Sequence, residues 1–217
     1  GLRTGWKVAV VSATGNVLAT DTLMLPLGGR GGDNKGGMYV QVRSKLMAML
    51  SQWAVSLVAI GNGTGSREAE ALVTDALSTQ DRKTPPPKYL IIDESGASVY
   101  SASKLAVSEL PSMDVSLRGA VSLARRVQDP LSELVKVDPK ALGVGMYQHD
   151  VDQKRLAGAL DNVVESAVNA VGVDLNVASP TLLSRVAGLS LKTAQAIVTA
   201  RNAAKSGRFE RVDALTK

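Results

Sequence analysis

The chain has 217 residues with a formal net charge of +5, and 45% of them are hydrophobic but only 3% are aromatic, so its core must be aliphatic. This length suits one large domain or two smaller ones. The absence of cysteine excludes disulfides and thiolate metal sites, a single histidine (His149) argues against a zinc site, and no run approaches 18 apolar residues, which predicts no membrane span.

The first predicted elements are a β-hairpin, a loop and a helix. Residues 6–12 and 16–25 are β-rich and flank turn residues, which predicts two antiparallel strands. The glycine-rich, basic segment 28–37 lacks the GxxxxGK[ST] spacing of a phosphate-binding loop, so we interpret it as a flexible loop. A helix is predicted over residues 38–53, with one apolar face formed by Val40, Leu46, Met47 and Leu50.

Strands and helices then alternate. Residues 56–62 and 88–94 are short apolar runs that predict buried strands, and each leads into a predicted helix. The first of these helices begins near Thr64 or Ser66. Strand, helix, strand and helix after an opening hairpin indicate an α/β layer with parallel central strands.

After Pro111 the chain is predicted to be entirely helical. Residues 115–128 form a helix that ends before Asp129-Pro130, as a following proline requires. A long amphipathic helix spans residues 151–171. Its apolar positions recur at spacings of three and four and predict core packing or docking to another helix: Leu156, Leu160, Val163, Val164, Ala167, Val168 and Val171.

Two short helices joined by a tight turn are predicted near the end of the chain. Ser179 followed by Pro180 is a strong helix start, with serine as the N-cap and proline at the first helical position. The first helix runs to about Val186. The turn is Ala187-Gly188-Leu189, and Ser190 caps the second helix.

This turn is the predicted binding site. The first turn of a helix has unpaired N–H donors and a positive dipole end, which favour an anion. The site residues we predict share this position at the bend: Arg185, Gly188, Leu189, Ser190, Lys192 and Thr193. Residues 178–217 carry seven Lys or Arg and two Asp or Glu, which suggests a polyanionic partner. A hairpin that serves only packing is the alternative.

The segment LLSRVAGLSLKTAQAIVTAR (182–201) resembles the helix-hairpin-helix module of DNA- and RNA-handling proteins, with Ser190 in place of the usual second glycine. A second hairpin begins at residues 209–215. The similarity extends to GLRTG at the start, GNGTGSRE (61–68), ESGASVYSAS (94–103) and the distinctive segment 115–151. Together these motifs resemble the Tex family of transcription accessory proteins, which are related to the suppressor-of-Ty elongation factors.

The resemblance implies an α/β YqgF-like domain of RNase H-like fold (1–112), an all-α connector (113–172) and a helix-hairpin-helix module (173–217). Family members carry helical domains before this region and an OB-fold domain after it, so we expect the chain to be a central fragment. They also read Asp-Pro-Gly before Arg3-Thr4-Gly5, on a central strand. This chain starts at that glycine, Gly1, so we expect another segment to supply the strand or the sheet to be incomplete.

We therefore expect a non-enzymatic protein that binds the RNA or DNA backbone without sequence specificity, without a cofactor, a metal site or catalytic residues. The RNA polymerase elongation machinery is a candidate protein partner, and we expect no membrane. The location would be the cytoplasm of a bacterium or the nucleus of a eukaryote.

Two other functions stay open. A Mg²⁺-dependent RNase H-like or junction nuclease would use strand-end carboxylates, for which Glu68, Glu70, Asp93 and Glu94 are candidates. A docking scaffold for the transcription machinery would use the apolar stripe of residues 151–171 together with the α/β domain. We interpret His149 as a hydrogen-bonded structural residue, and the pair Arg125-Arg126 as a solvated or salt-bridged face.

Overall fold

The computed structural model describes residues 4–24, 33–78, 85–204 and residue 209. The chain forms two compact units, residues 1–128 and residues 129–217. The finer division expected from the sequence, at residues 112 and 172, stays a prediction.

The strands of the first unit form two separate pairs. β1 (Trp6–Val11) and β2 (Val17–Leu23) are antiparallel, which confirms the predicted hairpin. β3 (Leu57–Gly61) and β4 (Lys88–Ile92) are parallel and in register along their whole length. The predicted parallel pair is therefore also confirmed.

No strand joins the two pairs among the described residues. β1 is paired only with β2 and β3 only with β4, and both β1 and β3 line one cleft of about 1040 Å³. In the described part of the chain the sheet is thus incomplete. This agrees with the second of the two expectations, an incomplete sheet, and not with a strand supplied by another segment. The cleft lies where two strand edges keep their unused backbone hydrogen-bonding groups.

The described residues of this unit also form five helices: α1 (Asp33–Gln52), α2 (Ser66–Ser78), α3 (Ala97–Ala102), α4 (Lys104–Glu109) and α5 (Val115–Gln128). Between α3 and α4, Ser103 is extended, and its hydroxyl accepts a hydrogen bond from the Ala106 N–H. Serine is a preferred N-cap residue, so it starts a new helix where the sequence predicted a single one.

Helix α1 begins earlier than the sequence predicted. Of the predicted loop 28–37, residues 28–32 lie outside the described part of the chain, and residues 33–37 belong to α1, so the loop prediction is wrong there. Val40 was expected to be buried but is 49% exposed. Val42 is buried instead, because Val42, Leu46 and Leu50 are spaced by four and so share one face of the helix.

The core of the first unit is formed by aliphatic side chains from the helices α1 and α2 and from strands β2 and β3. Its most enclosed members are Leu23, Leu72 and Ala76. The prediction that β4 is buried is wrong, since Tyr89 and Ile91 are exposed. Tyr89 and Ile91 are two residues apart and so lie on the same face of β4, which the core formed by the described residues does not cover.

The second unit is helical. Its elements are short except for one long helix: α6 (Pro130–Leu134), a 3₁₀ helix (Pro139–Leu142), α7 (Gln153–Val171), α8 (Pro180–Leu183) and α9 (Leu191–Ala203). Small and branched side chains from several of these elements form the core: Val135, Val168, Ala178, Leu182, Leu183 and Ala194. No helix in the described residues is both long and apolar enough to cross a membrane.

The apolar stripe of α7 is only partly covered. Val168 is buried and Val164 packs on the core, but Val163 is 63% and Val171 73% exposed. The prediction of core packing is therefore wrong for these two valines. Val163 lies about 100° around the helix from Val164, and Val171 is the last residue of α7, so the core does not cover either of them.

Candidate nucleic-acid interface

The predicted hairpin of helices is formed by α8 and α9. Ser179 caps α8 by accepting a hydrogen bond from the Leu182 N–H at 3.2 Å, and Pro180 is its first residue. Leu182 and Leu183 of α8 and Ala194 of α9 are buried in the same core. The small alanine lets the two helices approach closely, so the bend between them is held by packing on its inner side.

The bend itself depends on Gly188. Its φ angle is +81°, a left-handed conformation that glycine adopts at little cost. A Cβ atom at this position would meet no atom within 4 Å. The glycine is therefore required by the backbone angle and not by a lack of space, and the outer side of the bend is open.

The start of α9 offers unused amides on this open side. The Thr193 N–H donates to Ser190 Oγ at 3.1 Å, and the two hydroxyls are 2.9 Å apart. Among the described residues, nothing accepts a hydrogen bond from the amides of Leu191 or Lys192. Both residues are exposed. These are the free donors that a helix N-terminus can present to an anion.

Arg185 and Lys192, which were expected at the bend, and Arg201, further along α9, differ in what they contact. Lys192 is exposed and makes no ion pair with a described residue. Arg185 Nη1 lies 2.9 Å from Asp161 Oδ1. Arg201 donates to the carbonyls of Leu175 and Ala178, at 3.0 and 2.8 Å, and so fastens the loop before α8 to α9.

The structure thus brings the predicted site residues together at one bend, where their exposure to solvent differs. Gly188, Ser190, Lys192 and Thr193 are exposed, and Leu189 is half-buried. Arg185 is also half-buried and is turned toward Asp161.

Sequence analysis missed two residues of α7 that contact this bend. Asp161 pairs with Arg185, and Asn169 Oδ1 accepts a hydrogen bond from the Ala187 N–H at 3.2 Å. They precede their partners by 24 and 18 residues. Nothing local in the sequence signals contacts over such separations.

The other candidate site is the loop after β4. The Ser95 hydroxyl and the Ser95 N–H both donate to Asp93 Oδ1, at 2.8 and 3.1 Å, and Asn62 also donates to it. The Ser95 hydroxyl, followed by the Ser95 amide, lowers the pKa of Asp93 below its ordinary value. Arg126, which is buried, donates to the carbonyls of Asp93 and Ser95. The polar groups of this loop are thus bonded within the protein, by Ser95 of the loop itself and by Asn62 and Arg126 from outside it.

The remaining acidic candidates do not join Asp93. The Glu94 carboxylate packs against Gly61 and Gly63, where a Cβ would overlap it. Glu70 accepts a hydrogen bond from the Tyr89 hydroxyl at 3.2 Å, and Glu68 lies in the first turn of α2. Within the described residues no three Asp, Glu or His side chains come together as metal ligands.

Two further sequence interpretations can be compared with the structure. His149 is exposed and makes no hydrogen bond with a described residue, so its interpretation as a hydrogen-bonded residue is wrong. Arg125 donates to the carbonyl of Gly15 at 2.8 Å and lies 3.6 Å from Glu109. Arg125 is thus half-buried and salt-bridged, which was one of the two interpretations, whereas Arg126 is buried and donates to backbone carbonyls.

These features define a chain in which an α/β domain precedes a helix-hairpin-helix module. Residues 1–128 match the family described as the Tex protein YqgF-like domain, and residues 168–217 match the helix-hairpin-helix motif. The chain belongs to the Tex family. The predicted fold class, an RNase H-like α/β domain followed by helical segments and this motif, is confirmed.

Relatives from distant organisms match the chain over its length. It is 55% identical to protein YhgF of Escherichia coli over 217 residues, which is 100% of this chain and 26% of that protein. It is 48% identical to the transcriptional accessory protein Tex of Neisseria gonorrhoeae over 97% of this chain and 26% of that protein. It is 43% identical to the human S1 RNA-binding domain-containing protein 1 over 100% of this chain and 21% of that protein. The chain thus spans about a quarter of its relatives' length or less.

Proposed function

We propose that this chain is a nucleic-acid-binding part of a Tex-family transcription factor, and that residues 188–193 hold the phosphate backbone of RNA or DNA. One observation carries the proposal: the amides of Leu191 and Lys192 point into an exposed bend without a partner among the described residues. Free amides, the positive end of α9 and the Lys192 ammonium group all attract the same kind of ligand, an oxyanion.

A site of this kind does not discriminate between nucleic-acid sequences. Amides and an ammonium group that contact phosphate oxygens fix the position of a strand but do not contact base edges. The affinity should fall as salt rises, with a slope in log–log form of about −0.9 per neutralised phosphate on duplex DNA and about −0.7 on single strands. We propose that the chain binds RNA and DNA of any sequence, as a non-enzymatic component.

The names of two relatives support this proposal. One is called a transcriptional accessory protein and another an S1 RNA-binding domain-containing protein. By analogy, we propose that the whole protein acts in transcription, in contact with the RNA polymerase elongation machinery. Its location would then be the bacterial cytoplasm or the eukaryotic nucleus.

The test is a salt series of fluorescence anisotropy with labelled single-stranded RNA and duplex DNA. The double variant Gly188→Pro with Lys192→Glu should lose at least tenfold in affinity, because it distorts the bend and reverses its charge. Lys104→Glu is the matched control, since Lys104 is an exposed lysine at the start of α4 in the other unit. If the double variant binds as tightly as the unaltered chain, the bend is not the site.

The exposed valines of α7 favour a second candidate, a docking surface for transcription proteins. Val163 and Val171 are eight residues apart and mostly exposed, so they lie two turns apart on one side of the helix. Capture of RNA polymerase by the chain after nuclease treatment, lost on Val163→Asp, would support this candidate. Capture that disappears with nuclease alone would leave only the nucleic-acid interaction.

A further inference from the structure

Helix α7 makes two polar contacts to the proposed phosphate site. Asp161 Oδ1 lies 2.9 Å from Arg185 Nη1, and Asn169 Oδ1 accepts a hydrogen bond from the Ala187 N–H at 3.2 Å. The two α7 residues are eight positions apart, which is close to two helical turns, so they lie on the same side of the helix. α7 therefore borders the bend along the segment that precedes Gly188.

The Asn169 contact fixes the first part of the bend. The Asn169 amide donates to the Glu165 carbonyl at 2.6 Å, which orients its oxygen toward the Ala187 N–H. This N–H is thereby used within the protein, whereas the amides of Leu191 and Lys192 have no acceptor in the part of the chain that the structure describes. The bend is anchored to α7 on one side and free on the other.

The Asp161 contact decides what Arg185 can do. Arg185 lies three residues before Gly188 and carries five N–H donors that suit phosphate, but one end of its guanidinium is paired with a carboxylate. The Asp161 side chain is 61% exposed and that of Arg185 is 32% exposed. Ion pairs in such contact with solvent are weak and screened by salt, so a phosphate group can compete for the arginine.

We infer that Asp161 is an affinity-limiting residue of this site, which holds Arg185 in an ion pair that a phosphate must displace. The inference rests on the proposed function and adds α7 to the site. Removing the charge of Asp161 releases Arg185 for one more phosphate contact. The affinity for a single-stranded RNA should then rise about threefold to tenfold at low salt, and the log–log salt slope should steepen by about 0.7.

The experiment compares four variants of the 217-residue chain by anisotropy with labelled single-stranded RNA across a salt series. They are Asp161→Asn, Arg185→Gln, both together, and Glu165→Gln. Glu165 is the matched control, because it is an exposed acid one turn further along α7 and its loss changes the net charge equally. Thermal unfolding of each variant checks that it is folded, and Asp161→Ser replaces Asp161→Asn if that variant is not.

Asp161→Asn should tighten binding and steepen the slope, and combining it with Arg185→Gln should abolish that gain, because the released guanidinium is then absent. If the double variant keeps the gain in RNA affinity, or if Glu165→Gln gives the same gain, the gain comes only from weaker charge repulsion of the RNA. Either outcome would overturn the inference. Equal affinity of Asp161→Asn and the unaltered chain would overturn it too, with the proposed function intact. Absence of binding by every variant at low salt would overturn both.

Discussion

Two polar loops of this chain differ in what their hydrogen-bonding groups do. In the loop after β4, Asp93 accepts hydrogen bonds from both the hydroxyl and the amide of Ser95, and Asn62 Oδ1 accepts from the Glu94 N–H at 3.1 Å. In the bend before α9, the amides of Leu191 and Lys192 have no acceptor among the described residues. The first loop is satisfied by the protein, and the second is open to a ligand.

The use of the hydrogen-bonding groups distinguishes a structural loop from a binding loop in this chain. Both loops follow an apolar segment and precede a helix, and both contain glycine, serine and charged residues. Composition therefore does not separate them. Buried backbone groups are nearly always paired, so exposed and unused donors at a rigid bend are the informative feature.

The largest effect should come from opening the satisfied loop. Arg126→Ala removes a buried guanidinium that donates to the carbonyls of Asp93 and Ser95 at 2.8 and 3.0 Å. Since hydrogen bonds that involve a charged group are strong, the free energy of unfolding should fall by about 2–3 kcal/mol. Urea denaturation followed by circular dichroism measures this change.

Arg67→Ala is the control for that variant, because Arg67 is exposed on α2 and its loss should cost little. RNA affinity, measured under conditions where Arg126→Ala is still folded, should not change. A loss of affinity equal to that of the bend variants would contradict the division between the two loops.

A smaller effect on stability, but a specific effect on binding, is expected for Gly188→Ala. The left-handed backbone at +81° costs a residue with a Cβ about 1 kcal/mol. Gly172, which caps α7, has φ and ψ angles of 79° and 161°, a region essentially restricted to glycine, so Gly172→Ala should be destabilised by at least as much. Only Gly188→Ala should weaken RNA binding, because only that residue shapes the bend. Equal binding by the two variants would speak against the proposed site.

Local sequence signals predicted an α/β layer followed by helices and most helix starts, whereas the RNase H-like fold class was implied by the family resemblance. Ser179-Pro180 and Ser190 cap α8 and α9 as expected, and the hairpin β1–β2 forms around the predicted turn. Burial was less predictable. Ile91 of β4 and Val163 of α7 have the apolar spacing of core residues but are exposed, because spacing shows which side of an element is apolar and not whether anything packs on it.

The residues of the bend itself were predictable from the sequence, whereas the α7 residues that contact the bend were not. Gly188, Ser190 and Lys192 lie next to each other in the sequence, and capping rules place them at one helix start. Asp161 and Asn169 reach the same bend from α7 through tertiary packing. Those contacts depend on how α7 lies against α8, which one sequence without its structure does not specify.

Ser190→Gly tests how many amides at the start of α9 are available to a phosphate group. The Ser190 hydroxyl occupies the Thr193 N–H, so its removal frees a third amide for phosphate. Replacing a serine cap by glycine costs only a few tenths of a kcal/mol of stability. RNA affinity should rise by about twofold, equivalent to roughly half a kcal/mol. Weaker binding by this variant would show that the hydroxyl itself contacts the ligand.

The smallest effect concerns the acid sensitivity of the satisfied loop. The Ser95 hydroxyl and then the Ser95 amide lower the pKa of Asp93, partly opposed by burial. A carboxyl whose pKa is lower in the folded protein than its unfolded value of about 3.9 stabilises the fold above that pH. This stability is lost as the pH falls through the folded pKa.

Ser95→Ala should therefore raise the pKa of Asp93 toward its ordinary value, and it should reduce the part of acid destabilisation that Asp93 causes. A carboxyl-carbon NMR titration of Asp93 measures the first effect, and urea unfolding at pH 7 and pH 3 measures the second. Because Asp93 is exposed, solvent screens its contribution and the change in stability should be the least of those predicted here. An unchanged Asp93 titration in Ser95→Ala would mean that Asn62 and the backbone hold the carboxylate without the hydroxyl.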